Sequence, residues 1–486
     1  MKNTIIFLFA LIIASCTNKK EGIAITNVSI IDVKSGLIIE NQTLLIEGSK
    51  IFKIESSNKT SIPNGYEKVN GSGKFLIPGL WDMHVHTSSE DITRDILLPL
   101  FIANGITGVR IMAADCFEPC WDLDLTITQT RKLQLEVDQD KIIGPKTILS
   151  SFYINETLPD SSSIQAPLTA KHGRELVHLL KQRNVDFIKI YDDIPREAYL
   201  ALADEASKIE FDFAGHVPFD MKTSEVSKLG QKSIEHCCDF NLFRECSALE
   251  QELRDELINI LQGDKVENLS DYFLKLAQTF DSTKCNEIYK LFVENKTWFV
   301  PTLRHMEVYH IEAPNWRDNP NIKYMPVTEL EFYEERDKEI RIIMGYPYEE
   351  INQLNRQIVK DMNQAGVGLL AGSDCGETGM VHGFSLHEEL ESIVKAGLSP
   401  LEALQTATIN PAQFLNATDS LGKIEVGTIA DLILLDANPL KNISNTKKIN
   451  SVISEGRLYR REKLDSILLS IENKAKDKTA SNTVYN

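Results

Sequence analysis

The stretch that decides the fold is Phe75-Leu-Ile-Pro-Gly-Leu-Trp-Asp-Met-His-Val-His86. It turns at Pro78-Gly79, continues through apolar residues and ends in polar side chains. His84 and His86 lie two residues apart, so on a strand both side chains project to the same side and can bind one metal ion. A His-x-His pair alone is weak evidence, because chance matches and solvated surface pairs are common. The rest of the chain must therefore decide whether these histidines bind metal.

Further apolar segments follow this stretch, and helical patterns alternate with them. Strands that alternate with helices imply parallel βα units, and eight such units form a closed (β/α)8 barrel, the TIM barrel. The fold class expected is therefore α/β, with a doubly wound open sheet as the alternative. The predicted strands are residues 75–85, 108–112, 146–149, 186–190, 211–214, 233–235, 298–300 and 367–370.

Short β-branched segments punctuated by Asn, Gly and Pro occupy residues 23–77, and a similar texture returns at 418–460. Two distant segments of this kind predict one small β-sandwich domain built from the N- and C-terminal parts of the chain. The barrel is then expected over residues 78–417. The polar, helix-patterned stretch 241–295 is expected to be a long connection after the sixth strand. The charged tail 461–486 is expected to be a helix that frays into disorder.

The composition is that of a globular protein, with 42% hydrophobic and 25% charged residues. Acidic residues outnumber basic ones by 70 to 52, and the net charge is -18. Such a charge repels phosphate backbones, so nucleic acid is not expected as a partner.

The first residues predict export. Lys2 precedes an apolar run, Ile5 to Ile13, that is too short to span a bilayer, which indicates a signal peptide over residues 1–15. Ile13-Ala-Ser-Cys16 resembles the lipobox of bacterial lipoproteins, which implies lipidation of Cys16 and a linker over 16–22. The expected location is the bacterial cell envelope, periplasmic or associated with the outer membrane, through an N-terminal lipid anchor. A plain secretory signal is the alternative.

Seven cysteines remain besides Cys16, so at least one thiol is expected to be free in an exported protein. Cys116 and Cys120 could close a small disulfide, or both could stay unpaired. Cys237 and Cys238 are adjacent and are expected to pack in the interior rather than to pair with each other.

Four strand ends carry residues in the order seen in one family. The quoted stretch resembles the first-strand motif of the amidohydrolase superfamily, with its imidazolonepropionase-like and prolidase-like members closest. His216 ends the fifth strand in Ala214-Gly-His216, His236 ends the sixth in Ile234-Glu-His236, and Asp374 ends the eighth in Ala371-Gly-Ser-Asp374. Each residue alone could serve a backbone group or cap a helix, but four matching strand ends make chance a poor explanation.

Lys189 lies near the end of the fourth predicted strand, where it would point into the barrel mouth. Burial beside metal ions favours the neutral amine, which can react with carbon dioxide to give a carbamate. The resemblance implies that a carboxylated Lys189 bridges two metal ions. The alternative is an unmodified lysine paired with Asp192 or Asp193.

The resemblance implies a centre with two divalent ions, expected to be Zn²⁺. One ion would be held by His84, His86 and Asp374, the other by His216 and His236. Two ions about 3.5 to 4 Å apart can share a hydroxide that is available at neutral pH.

The expected reaction is hydrolysis of an amide or peptide C–N bond of a small molecule or dipeptide. Asp374 would accept a proton from the bridging hydroxide and return it to the leaving amine. The alternatives to a dipeptidase or prolidase-like enzyme are a cyclic amide hydrolase, a deaminase and a non-catalytic binding lipoprotein. The candidates for binding a substrate carboxylate are Tyr191, Arg304 and His382, and Arg110 is a further side chain that could line the mouth.

Overall fold

This computed structural model describes residues 21–116, 120, 125–155, 168–236, 240–262, 269–308, 313–340 and 348–476. The predictions on the signal peptide and Cys16, on Cys237-Cys238 and on the end of the charged tail fall outside these residues. The strands are β1 Gly22–Ile31, β2 Ile38–Glu47, β3 Lys50–Ser56, β4 Tyr66–Asn70, β5 Phe75–Pro78, β6 Leu80–Val85, β7 Ile106–Ile111, β8 Lys146–Ile154, β9 Phe187–Ile190, β10 Phe213–Gly215, β11 Ser233–Glu235, β12 Trp298–Val300, β13 Leu432–Leu435, β14 Ile449–Ser454 and β15 Arg457–Arg460.

The helices begin where sequence signals predict. Thr126 and Gln129 form a capping box before α3, and Ser399 and Glu402 form another before α15. The helices are α1 Glu90–Ile92, α2 Leu98–Ala103, α3 Ile127–Asp138, α4 Ala170–Gln182, α5 Arg196–Lys208, α6 Thr223–Lys228, α7 Phe240–Glu245, α8 Glu250–Gln262, α9 Leu269–Gln278, α10 Ser282–Asn295, α11 Leu303–Glu307, α12 Val327–Ile340, α13 Tyr348–Ala365, α14 Phe384–Lys395, α15 Pro400–Thr406, α16 Ile409–Phe414 and α17 Arg461–Ala475. Short turns of other helix types occupy Thr93–Leu97, Ala313–Asp318, Pro320–Tyr324 and Ile443–Lys447.

Strands β6 to β12 form one parallel sheet in chain order. The segment 367–375, predicted to contain the eighth strand, is not a regular strand, but it bridges both edges of this sheet. Leu369 bridges Phe299 of β12, and Cys375 bridges Val85 of β6. The result is a nearly closed, seven-stranded parallel barrel. This sequential order differs from a doubly wound sheet, in which the strand order reverses.

The N- and C-terminal segments pair in one eight-stranded sheet, as their shared texture predicted. Its order is β15-β14-β13-β5-β1-β2-β3, with β4 also paired to β1. Strand β13 runs antiparallel to β5, with Leu434 opposite Leu76. The predicted sandwich is not confirmed, since the described strands of both segments join a single sheet.

The stretch 75–85 was expected to be one barrel strand and is two. Strand β5 belongs to the terminal sheet, and β6 begins the barrel. Gly79 separates them: its N–H donates to the Asp431 carbonyl over 2.8 Å, and a Cβ there would lie 2.1 Å from Thr107 Oγ1. The close approach therefore requires glycine, and it fixes the strand that carries His84 against the terminal sheet.

The connection after the sixth barrel strand consists of helices α7 to α10, as predicted. A disulfide joins Cys246, which follows α7, to Cys285 in α10. A second disulfide joins Cys116 and Cys120, which decides between the two alternatives left open by the sequence. Among the described residues Cys375 is a buried free thiol.

The start of the charged tail is a helix, α17, as predicted. It packs on the barrel side through buried Leu464, Ile467 and Ile471. Nowhere in the described ranges is a helix both long and apolar enough to cross a membrane.

Candidate metal centre

The first group of ligand atoms lies where β6 meets the segment that closes the barrel. Asp374 Oδ1 lies 3.1 Å from His86 Nε2 and 3.3 Å from His84 Nε2. The three residues bring one ligand atom each within 4.8 Å of the others. His84 Nε2 and Asp374 Oδ1 are also buried without a hydrogen-bond partner among the described residues. Buried polar atoms normally have a partner, so this convergence fits a cation.

A second group shares the same carboxylate. His236, His305 and Asp374 also bring ligand atoms within 4.8 Å of one another. Asp374 Oδ2 lies 2.7 Å from His305 Nδ1 and 3.6 Å from His236 Nδ1. The sequence argument missed His305, although it follows Arg304 directly. His305 lies three residues after Thr302, whose hydroxyl is 2.9 Å from His236 Nδ1.

Two of the histidines, His84 and His236, favour the neutral form, and Asp374 favours the charged form. Burial lowers the pKa of His84 to about 3 and that of His236 well below its usual range. Burial opposes ionisation of Asp374, but His84, His305 and His236 outweigh it and hold its pKa well below the usual range. Neutral imidazole and carboxylate are the forms that bind divalent metals.

Lys189 and His216 lie on neighbouring strand ends. The Lys189 side chain is buried, and burial lowers its pKa to about 8 against the opposing charges of Glu235 and Asp374. The ring of His216 lies 4.8 Å from that of His236. His216 Nδ1 lies 2.9 Å from Asp192 Oδ1. Asp192, one of the two aspartates considered as partners of Lys189, also acts on that lysine through its charge.

The candidates for substrate binding lie in different places. The Tyr191 ring packs 4.5 Å from the ring of His216, beside the mouth. His382 Nε2 donates to the backbone carbonyl of His86 over 3.0 Å. Arg304 Nε donates to Glu388 over 2.9 Å, so this guanidinium is engaged in an ion pair. The structure thus brings Tyr191 and His382 next to the predicted ligands, and it turns Arg304 toward helix α14.

Tyr153 is a mouth residue that the sequence did not indicate. Its hydroxyl lies 3.2 Å from His86 Nδ1, and its ring lies 4.9 Å from that of Tyr191. It stands on β8, a strand that continues beyond the predicted segment 146–149. The residues Phe152-Tyr-Ile154, which follow Ser150 and Ser151, were the signal that could have extended the predicted strand to Tyr153.

Asp82, the first polar residue of the quoted stretch, does not join either group. Its carboxylate accepts from Ser373 Oγ over 2.6 Å and from Ser373 N over 2.9 Å. Burial raises its pKa to about 7. Asp82 therefore links the first strand to the closing segment and so supports the position of Asp374.

A parallel barrel whose carboxyl end collects histidines, an aspartate and a buried lysine defines a class of metal-binding barrel proteins. Residues 301–459 match the model of the amidohydrolase family. This match agrees with the resemblance to amidohydrolases that the motifs predicted.

Curated relatives match over short segments. An adenine deaminase 2 of Jannaschia sp. is 36% identical over 66 residues, which are 14% of this chain and 11% of the relative. A dihydroorotase of Carboxydothermus hydrogenoformans is 35% identical over 97 residues, 19% of this chain and 21% of the relative. The chain thus matches about a fifth or less of the length of these two relatives.

The fold has solved counterparts along most of its length. The crystal structure of a Xaa-Pro dipeptidase with bound methionine in its active site superposes with a TM-score of 0.62 at 20% identity. The match covers 90% of this chain and 100% of the dipeptidase. At this identity the likeness shows a shared fold, and the choice of substrate has to come from the site.

Proposed function

We propose that this protein is a metal-dependent hydrolase that cleaves the C–N bond of a small peptide-like substrate, as a dipeptidase of the prolidase kind does. The observation that carries the proposal is the carboxylate of Asp374, which two groups of histidines share at the barrel's carboxyl end. The family match and the fold shared with a Xaa-Pro dipeptidase support it.

The ligand set proposed is His84, His86 and Asp374 for one divalent ion and His216 and His236 for another, with Lys189 as a bridging carbamate. The neutral imidazoles and the buried amine suit Zn²⁺. Bound ions of this kind polarise a carbonyl and supply an activated water near neutral pH.

The protein's own groups move the proton. Asp374 is placed to accept a proton at the reacting centre and to return it to the leaving amine. His305 lies 2.7 Å from Asp374 Oδ2 and restrains that oxygen, so the other oxygen, Oδ1, faces His84 and His86. The tyrosines Tyr153 and Tyr191 form one wall of the mouth and are placed to contact the substrate.

Two other classes of substrate are supported by the curated relatives. The dihydroorotase match favours a cyclic amide, and the adenine deaminase match favours an amino-substituted ring. A buried lysine in the centre fits a two-ion amide hydrolase and so argues against the deaminase. It does not separate a cyclic amide from a dipeptide, and the fold shared with the Xaa-Pro dipeptidase favours the dipeptide.

The test measures metal content and turnover together. The Zn²⁺-loaded protein is assayed against a dipeptide library rich in Xaa-Pro sequences, with lactams, cyclic imides and adenine in parallel. Asp374→Asn should keep metal but lose at least about 100-fold in kcat, whereas His236→Ala should lose metal first. His178→Ala, at an exposed histidine paired with Glu205, is the control and should keep both properties.

Two results would contradict the proposal. Full turnover by Asp374→Asn would remove the assigned proton carrier, and a metal-loaded protein that is inactive on every amide would remove the reaction class. Deamination of adenine alone would select the ring-deaminating alternative.

We further propose that the protein is exported and lipid-anchored through Cys16. The two disulfides support an oxidising compartment. The expected result is incorporation of labelled fatty acid into the wild-type protein and loss of the label in Cys16→Ala. Equal labelling of both proteins would contradict the anchor.

A further inference from the structure

A fully buried arginine lies beneath the first group of ligands. Arg110 Nε donates to the backbone carbonyl of Met83 over 2.6 Å, and its Nη1 donates to Ser233 Oγ over 2.9 Å. The guanidinium carbon lies 5.5 Å from the ring of Phe187 and 5.2 Å from that of Phe414. Arg110 therefore sits between two aromatic rings in the barrel interior, directly behind the residue that precedes His84, and it does not line the mouth.

The counterion of this arginine is Glu235, which is fully buried too. Arg110 Nη2 donates to Glu235 Oε1 over 2.7 Å and to Oε2 over 2.8 Å. Both oxygens thus accept from the guanidinium, the pairing of a carboxylate with an arginine, and a carboxylate can only accept hydrogen bonds.

The third member of this chain of contacts is His84. Glu235 Oε2 lies 2.9 Å from His84 Nδ1, so the imidazole donates its Nδ1–H to the carboxylate. In a neutral imidazole the other nitrogen then carries the lone pair. That nitrogen, Nε2, faces Asp374 at 3.3 Å.

We propose that Arg110 and Glu235 are positioning residues of the metal centre, which hold His84 in the tautomer that presents an unprotonated Nε2 to the ion. Glu235 orients the ring and raises its basicity, and Arg110 keeps Glu235 in place and charged. This inference rests on the proposed function only in that the centre binds a divalent ion.

A purely structural role, as an internal ion pair, explains this arrangement less well than a role in positioning His84. A buried pair must offset the desolvation of both charges, and apolar residues of similar size are often as stable. Here both Glu235 oxygens face Arg110, and one of them also faces a histidine of the ligand group. Carboxylate–histidine contacts of this kind orient metal ligands in other proteins.

The first experiment compares Zn²⁺ affinity in matched variants. Glu235→Gln should weaken binding by about 10- to 100-fold, measured by competition with a chelator of known affinity. The control is Asp115→Asn, since Asp115 is a buried carboxylate held by Arg183 through two hydrogen bonds and its other contact is with the backbone of Ile127. The control should bind Zn²⁺ within about twofold of the wild type.

A double variant separates positioning from stability. Arg110→Met with Glu235→Met removes both charges at once, and such replacements often leave a folded protein of similar stability. The double variant should still bind Zn²⁺ about 10- to 100-fold more weakly. In the metal-free protein, histidine nitrogen NMR should show His84 protonated at Nδ1 in the wild type and a mixture of tautomers in the double variant.

A folded double variant with wild-type Zn²⁺ affinity and an unchanged His84 tautomer would overturn the inference. Turnover is not the readout, so the two proposals fail separately. If the wild type binds Zn²⁺ and hydrolyses no amide, the proposed function fails and the positioning role stands. If wild type and variants bind Zn²⁺ equally, the positioning role fails and the hydrolase can stand.

Discussion

The disulfide between Cys246 and Cys285 lies in the helical connection between β11 and β12, where it joins the end of α7 to α10. Both cysteines are buried, and they lie 39 residues apart in sequence. In the chain-entropy model the stabilisation grows with the logarithm of the closed loop, and a loop of this length gives about 4 kcal/mol. The same relation gives about 2 kcal/mol for Cys116 and Cys120, which lie four residues apart. Replacing Cys246 and Cys285 with alanine should therefore cost about twice as much free energy as replacing Cys116 and Cys120, and the loss should fall on the helical connection.

The assay should report on this connection, because a chain of 54.8 kDa is expected to unfold through intermediates. Native-state hydrogen exchange of α8 to α10 measures local opening directly. A loss of about 4 kcal/mol corresponds to a nearly thousandfold rise in the opening equilibrium, provided that opening of the connection is the route of exchange. Amides of β6 should keep their protection.

Cys375→Ala is the control for loss of a buried sulfur, since Cys375 is buried and unpaired by any disulfide. It should change exchange in α8 to α10 by less than about tenfold. Unchanged protection of α8 to α10 in the Cys246→Ala, Cys285→Ala variant would refute the reasoning. A larger effect from the Cys116→Ala, Cys120→Ala variant on the same helices would refute it as well.

Three further predictions concern single residues. Burial raises the pKa of Glu389 from 4.5 to about 8, so the native state retains a proton that the unfolded chain releases, and stability should fall as pH rises from about 4.5 to about 8. Glu389→Gln should flatten that slope in urea unfolding measured against pH, and an unchanged slope would contradict the assignment. Gly79→Ala should destabilise the protein by about 1–3 kcal/mol, because its Cβ would lie 2.1 Å from Thr107 Oγ1; thermal unfolding should show partial recovery when Thr107→Ala is added, and no recovery would point to another cause. Finally, ¹³C NMR with labelled carbon dioxide should show a carbamate signal in the wild type and none in Lys189→Ala, so a signal that persists in the variant would exclude Lys189 as its source.

Much of the fold could be predicted because it depends on local patterns. Alternating apolar strands and helices predicted seven of the barrel strands near their observed places. The shared texture of two distant segments predicted that these segments pair in one sheet. The split of 75–85 into two strands was not predicted, although Pro78-Gly79 marks a turn there, because the apolar residues on either side of the turn do not indicate which sheet each belongs to. Only the contacts of Gly79 with Thr107 and Asp431 show where one sheet ends and the next begins.

The candidate site also has a part that the sequence predicted and a part that it did not. His84, His86, His216, His236 and Asp374 stand at strand ends, and parallel strands bring their ends to one face of a barrel. Their proximity therefore followed from their places in the sequence.

The tertiary structure alone decided the partners of these residues. His305 meets Asp374, Glu235 meets His84 and Arg110 meets Glu235 only because segments far apart in sequence come together at the barrel. The alternation of apolar and polar residues along one strand indicates which face of the sheet a side chain occupies. It does not indicate which residue of another segment that side chain will contact. The sequence by itself thus determined the barrel and the residues that stand at its strand ends, and the packing of strands β6, β7 and β11 determined how His84 is held.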